Sequence, residues 1–177
     1  MIDWSRAGVS RSGFVTDLTE DDWDAMFDTN VKSCFLLGKH AVPAMRARGG
    51  GAIVTVSSIY AIAARSGAAA YAATKAALTT LTKIMAVDHI ADGVRINCVA
   101  PGTIRTPMVE SLAREADAAD PAAVIDQAGR LPPLGRLVDV GEVVSLICYL
   151  LSDESSGIVG ACYPIDGGRL PLLGAAD

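Results

Sequence analysis

The chain has 177 residues, a formal net charge of −5, a pI near 4.9 and 51% hydrophobic residues. Enough apolar side chain is present for a buried core in one domain spanning residues 1–177, while the acidic balance and the lack of any long Lys or Arg run argue against nucleic acid or an anionic membrane as the main partner. A small molecule or another protein is the expected ligand. Cys34, Cys98, Cys148 and Cys162 are widely spaced in apolar surroundings with no C-x-x-C pair, so they read as small buried hydrophobes rather than metal ligands or disulfides. The opening "MIDWSRAGVS" lacks an apolar signal segment, and no stretch approaches a membrane span, so the expectation is a soluble cytoplasmic protein.

In chain order, Thr19 stands before an acidic first turn with Asp22 three residues on, which predicts a long helix running to about Arg48. Trp23, Phe27, Cys34, Gly38, Ala41 and Met45 recur at helical spacing as its buried stripe, and Asn30 falls on the same stripe. "RGGG" ends that helix. It leaves a helix and enters a strand, the reverse of a phosphate-binding loop, and so reads as a turn. "AIVTVSS" is a continuously apolar strand of the kind buried on both faces of a parallel sheet, ending at Ser57 and Ser58. A second helix, about Ala70 to Ala91, leads through Gly93 into the strand "VRINCVAPG", completing a βαβ crossover.

Residues 103–138 are rich in Pro, Ala and charge and predict short helices forming a lid over a cleft, with Met108, Val109, Leu112, Val124 and Ile125 supplying an apolar lining. Asp139 starts a third amphipathic helix, and "GIVGACYPIDGG" gives a last strand ending in glycines. Strands alternating with helices predict an α/β fold with a doubly wound parallel sheet, whose ligand crevice lies beyond the carboxyl ends of the strands.

Tyr71 and Lys75 lie four apart near the start of the second helix, facing the crevice where the strand ending at Ser58 opens. A phenol titrating near about 10 is a poor proton shuttle at neutral pH, and a neighbouring ammonium lowers that value. Ser58 is placed to hydrogen-bond a substrate oxygen, and Asn30 to hold a water that relays protons to Lys75. Taken singly, each has a plainer reading: a packed tyrosine with a solvated lysine, a satisfied core amide, a strand-end serine. His40 and His89 lie inside helices and no G-x-S-x-G elbow occurs, which argues against a Ser-His-Asp hydrolase, and no Cys or His cluster suggests a metal site.

The ordered motifs "TN" before Val31, "VTVSS", "YAATK", "RINCVAPGTIRTPM" and "YPIDGG" resemble those of the short-chain dehydrogenase/reductase family over roughly Ala7 to Gly168. That resemblance implies a Rossmann-like fold and hydride transfer between NAD or NADP and a secondary alcohol or ketone. It implies Tyr71 as acid/base, Lys75 as the residue that lowers its pKa and holds the nicotinamide ribose, Ser58 as the group orienting the substrate oxygen, and Asn30 as support for a proton relay. Pro101, Gly102, Thr103, Ile104 and Thr106 match the segment that lines the nicotinamide, and family members commonly form dimers or tetramers through the helices carrying Asn30 and Tyr71.

The chain departs from the family at its start. A complete member opens with a strand, "TGxxxGxG" and further strand and helix units, none of which precedes Ala7, and the family's "NNAG" stands here as Ser5-Arg6-Ala7-Gly8. The expectation is an N-terminally truncated member whose affinity for NAD or NADP is reduced and whose strand "AIVTVSS" presents an open edge. Alternatives are a non-catalytic assembly partner, a 3-oxoacyl-thioester reductase, and an epimerase or dehydratase on the same scaffold.

Overall fold

In the computed structural model, residues 8–173 are described. Residues 1–7, and with them most of the Ser5–Gly8 segment, lie outside that range except for Gly8. Thr19 caps the first helix as its position predicts, the hydroxyl accepting the Asp22 N–H over 3.1 Å. Helix α1 (Glu20–Phe27) does not run on unbroken: a π-helical turn at Asp28–Lys32 separates it from α2 (Ser33–Ala47). The wider turn shifts the buried line to Met26, Asn30, Cys34, Gly38 and Val42, four residues apart throughout. Trp23 falls off that line, 41% exposed and stacked on Phe27 at 4.7 Å. Asn30 is buried at the centre of the irregular turn, a type of distortion that recurs at functional sites.

Strands β1 (Gly51–Val56), β2 (Val94–Pro101) and β3 (Cys162–Ile165) form a parallel sheet in the order β1-β2-β3. Helix α3 (Ala69–His89) makes the crossover between β1 and β2. The β1–β2 register begins where Gly50 (φ 129°) passes Gly93 (φ 74°), and a Cβ on Gly50 would sit 2.5 Å from the Gly93 carbonyl oxygen. Only glycine permits that approach.

Between β2 and β3 the chain forms α4 (Pro107–Ala116), α5 (Pro121–Arg130) and α6 (Val140–Leu151), and after β3 the short α7 (Arg169–Leu173). Asp139 and Glu142 form a capping box at the start of α6, and Arg136 grips Glu142 through two hydrogen bonds of 2.9 and 3.0 Å. Those bonds hold the Glu142 carboxyl down to about 2.

Strand alternation sorts the core into two layers. Ile53, Val94 and Ile96 pack with Val42 of α2 and Ala86 of α3 on one face. Val54 and Val99 pack with Val138 and with Val143 and Leu150 of α6 on the other. Polar side chains lock the layers: buried Asn97 donates to the Ile158 carbonyl and accepts from Ala161 N–H, and half-buried Arg95 closes the α6 C-terminus on the carbonyls of Leu150, Ser152 and Ser155. Among the described residues no helix is long and apolar enough to cross a membrane. The cysteines differ from the sequence expectation: Cys34 and Cys98 are buried, but Cys162 is half-buried and Cys148 is exposed, because α6 turns that face outward.

Candidate active site

The carboxyl ends of β1 and β2 open on a cavity of about 450 Å³. Ser58 leaves β1 with its backbone extended, caps the following 3-10 turn by accepting Tyr60 N–H over 3.2 Å, and presents its hydroxyl to this cavity. Tyr71, in the first turn of α3, shares the same wall. Gly102 and Thr103 continue the wall past the end of β2, and α4 and α5 roof it with Met108, Val109, Leu112, Val124 and Ile125, the five apolar residues expected there.

Lys75 lies one turn behind Tyr71, only 6% exposed. Its Nζ sits 5.6 Å from the Tyr71 ring centroid and donates over 2.9 Å to the Val56 carbonyl. Ser57 N–H donates to Val99 O across the β1–β2 ladder, so by strand alternation the Val56 carbonyl faces away from β2, toward the outer edge of β1. The ammonium thus supplies a donor that a strand ladder lacks there. Ser57 bonds instead to the Lys75 carbonyl and the Thr79 hydroxyl, fastening the end of β1 to α3.

Burial dominates the titration of both residues. The Tyr71 phenol is pushed above its ordinary value by desolvation, with the Ser58 hydroxyl opposing the rise, and the Lys75 ammonium is pushed below its ordinary value by desolvation. The expectation that Lys75 depresses the Tyr71 pKa is therefore corrected: the ammonium is over the ring face, is bonded to Val56, and does not outweigh the loss of water.

Asn30 also differs in detail. Its Oδ1 accepts Val9 N–H at 2.8 Å, and its Nδ2 donates to the Val9 carbonyl at 2.9 Å and to Thr74 Oγ1 at 3.0 Å. Protein groups occupy both amide hydrogens, so a water has only the second lone pair of Oδ1 to bind. Gly8 lies alongside, where a Cβ would stand 3.8 Å from Asn30 Oδ1 and 3.9 Å from Lys75 Nζ.

Of the remaining expected residues, Pro101 is the buried last residue of β2. Ile104 packs into the α6 side of the core and bridges to Val138, and Thr106 caps α4, accepting Val109 N–H. These three frame the wall rather than form it.

Two residues escaped the sequence reading. Thr74, fully buried, links Asn30 to the Tyr71 carbonyl, to which its hydroxyl donates over 2.7 Å. Its signal is a hydroxyl on the inward face of an alanine-rich helix. Asp166 closes the cavity floor, its carboxylate accepting Gly168 and Leu170 N–H, and it lies so close to Gly102 that a Cβ there would meet Asp166 Cα at 3.0 Å. Asp before Gly-Gly was the available cue.

Known proteins carry the same arrangement of sequence. Residues 3–169 match a family model described as enoyl-(acyl carrier protein) reductase. The chain is 43% identical over 165 residues to oxidoreductase UcpA of Escherichia coli O157:H7, covering 93% of this chain and 63% of that protein. It is 38% identical over 164 residues to the 3-oxoacyl-[acyl-carrier-protein] reductase FabG of Thermotoga maritima, again covering 93% and 63%. The fold superposes with a TM-score of 0.87 at 31% identity on L-sorbose reductase from Gluconobacter frateurii, solved with NADPH and L-sorbose, covering 93% of this chain and 64% of that one. The chain therefore spans somewhat under two thirds of the length of these relatives. With a match extending over nearly all of its residues and the ordered motifs in place around one cavity, the chain belongs to the short-chain dehydrogenase/reductase family.

Proposed function

We propose that this chain carries the acid/base centre of an NAD- or NADP-dependent oxidoreductase acting on a secondary alcohol or ketone. The observation that carries the reading is the convergence of Ser58 and Tyr71 on one cavity wall with the buried Lys75 directly behind the phenol. The sorbose reductase solved with NADPH supports the cofactor class.

The residues present fit the nicotinamide end of such a cofactor. Gly102 leaves the backbone bare where β2 meets Asp166, Thr103 follows it on the cavity wall, and Lys75 keeps a buried ammonium within reach of Gly8. When bound, the nicotinamide supplies or accepts the hydride. The protein's part is proton transfer and orientation. Ser58 Oγ donates to the substrate oxygen, and Tyr71, held protonated by its burial, donates the proton that a reduced carbonyl oxygen requires. In the oxidative direction Tyr71 accepts that proton as phenolate, and the Lys75 ammonium stabilises the charge across the ring. Asn30 acts as a positioning residue, fixing the Thr74 hydroxyl and through it the first turn of α3. Residues 103–138 serve as a lid, α4 and α5 excluding water from the apolar side of the cavity.

Assembly belongs to the same proposal. The outer faces of α2 and α3 border a second cavity of about 380 Å³ lined by Phe35, Val42, Leu81, Ile84 and Met85 together with Lys39, Arg46 and Asp88, and Phe35, Ile84 and Val87 are exposed on these two helices. An apolar surface of this kind suits a homo-oligomer contact.

The test is turnover of NADH or NADPH against ketones and 3-oxoacyl thioesters, read by the absorbance of the reduced nicotinamide. Ketone-dependent oxidation of the cofactor that disappears in Tyr71→Phe is expected. Cofactor binding without turnover on any carbonyl would favour an assembly role, and turnover of thioesters alone would select the acyl-carrier branch.

A further inference from the structure

Two cysteines 64 positions apart in sequence meet in the sheet. Cys98 lies within β2 and Cys162 opens β3, and the parallel register places them directly opposite one another. Thr55 of β1 is the register partner of Cys98 on the other side, so Thr55, Cys98 and Cys162 form one row across three strands. Strand alternation puts this row on the α3 side, where Thr55 bonds to Thr82 at 2.7 Å. Paired residues on adjacent strands have Cα atoms about 4.8 Å apart, inside the roughly 4.4–6.8 Å that a disulfide spans.

Access and chemistry differ between the two sulfurs. Cys98 is 1% exposed, whereas Cys162 is half-buried at the start of its strand with the positive charge of Lys83 nearby. The Cys98 thiol donates to the Val99 carbonyl over 3.4 Å, and the neighbouring Cys162 holds it below its ordinary value while the Cys162 thiol is itself raised. Cys34 and Cys148 have no cysteine register partner of this kind among the described strands.

We propose that Cys98 and Cys162 form an oxidation site in which hydrogen peroxide converts the thiol pair into an intrachain disulfide tying β2 to β3 beneath α3. Cys162, the sulfur that solvent reaches, reacts first, giving up its thiol proton to water as the thiolate. That sulfur attacks the peroxide oxygen, breaking the O–O bond and becoming a sulfenic acid as hydroxide leaves. Cys98 then gives up its own thiol proton, attacks the Cys162 sulfur as thiolate, forms the S–S bond and expels a second hydroxide. The two thiol protons and the two hydroxides end as two waters, and the two sulfurs together lose the electron pair that the peroxide gains. The new bond lies three residues before Pro101 on one strand and four before Asp166 on the other, so it clamps the strands whose ends form the cavity wall.

Hydrogen peroxide on the purified chain, followed by unfolding, alkylation and digestion with trypsin and a glutamate-specific protease, tests this. Glu154 lies between Cys148 and Cys162, so the second protease separates them. The expected result is a fall in free thiols from four to two, a linked peptide pair containing Cys98 and Cys162, and full return of both thiols with dithiothreitol. Cys148→Ser should leave the link intact, and Cys98→Ala should remove it and send Cys162 on to sulfinic acid. Recovery of both thiols as alkylated cysteines, linkage through Cys34 or Cys148, or linkage only between chains would overturn the proposal. The mapping on the unsubstituted chain decides it even where Cys98→Ala fails to fold.

Discussion

Asn30 Nδ2 donates to Thr74 Oγ1 over 3.0 Å, and through it the irregular turn between α1 and α2 is bonded to the helix that presents Tyr71. Both partners are essentially inaccessible to water. Thr74→Val keeps the shape of the side chain but leaves an Asn30 N–H without its acceptor, which costs about 1–3 kcal/mol. Denaturant unfolding should show that loss, and turnover should fall with it because the first turn of α3 loses its anchor. Thr74→Ser, which retains the hydroxyl, should recover most of both.

Tyr71 titrates above the ordinary phenol value because burial disfavours its charged form. In the folded chain the neutral phenol is thus favoured, a contribution fully present below about pH 10 and lost as pH rises through the higher folded value. Ultraviolet titration of the tyrosines should show a component above that range which Tyr71→Phe removes. Carbonyl reduction should hold steady through neutral pH, and alcohol oxidation should climb into the alkaline range as phenolate appears.

Lys75 is shifted the other way, its ammonium disfavoured by burial. Between its lowered folded value and about 10.4 the unfolded chain binds more protons, so this residue makes stability rise with pH across that window. Lys75→Met removes a poorly solvated charge of similar length, and thermal unfolding should be unchanged or higher, while turnover falls by orders of magnitude if the ammonium supports the Tyr71 phenolate. A variant that loses stability and activity together would point to a purely structural lysine.

The exposed apolar face of α2 and α3 gives a test of assembly. Ile84→Glu or Val87→Glu places a charge on residues 55% and 74% exposed, at small cost to the isolated fold. Light scattering on a sizing column should show a smaller species for the variants than for the parent chain, with the unfolding midpoint of the monomer little altered. Identical masses would remove this face as the contact.

Much of the molecule is legible before folding is considered. The three strands announce themselves by continuous apolar runs, α3 and α6 by periodicity and by Gly93 and Asp139 at their borders, and the short helices over the cleft by their prolines. Ser58, Tyr71 and Lys75 stand out because strand end and helix start must meet at one crevice. The π turn was not legible, since the apolar pattern of residues 20–48 fits a continuous helix and only the demand to bury Asn30 against Val9 and Thr74 selects the wider turn. Thr74 was legible only in part, because a hydroxyl on the inward face of an alanine-rich helix marks the position but not what that hydroxyl will meet.

The cysteines show where that boundary runs. Local pattern placed Cys98 and Cys162 correctly on two strands, because strand identity depends on near neighbours and on which side chains avoid water. Their pairing depends on register, and register is set by how α3, α6 and the loop held by Asn97 pack against the sheet. The sequence by itself determined the α/β plan, the family and the kinds of side chain gathered at the crevice. Only the tertiary structure decided which atoms touch and how far water is excluded from them, and with that the upward shift of Tyr71, the downward shift of Lys75 and the meeting of two distant thiols.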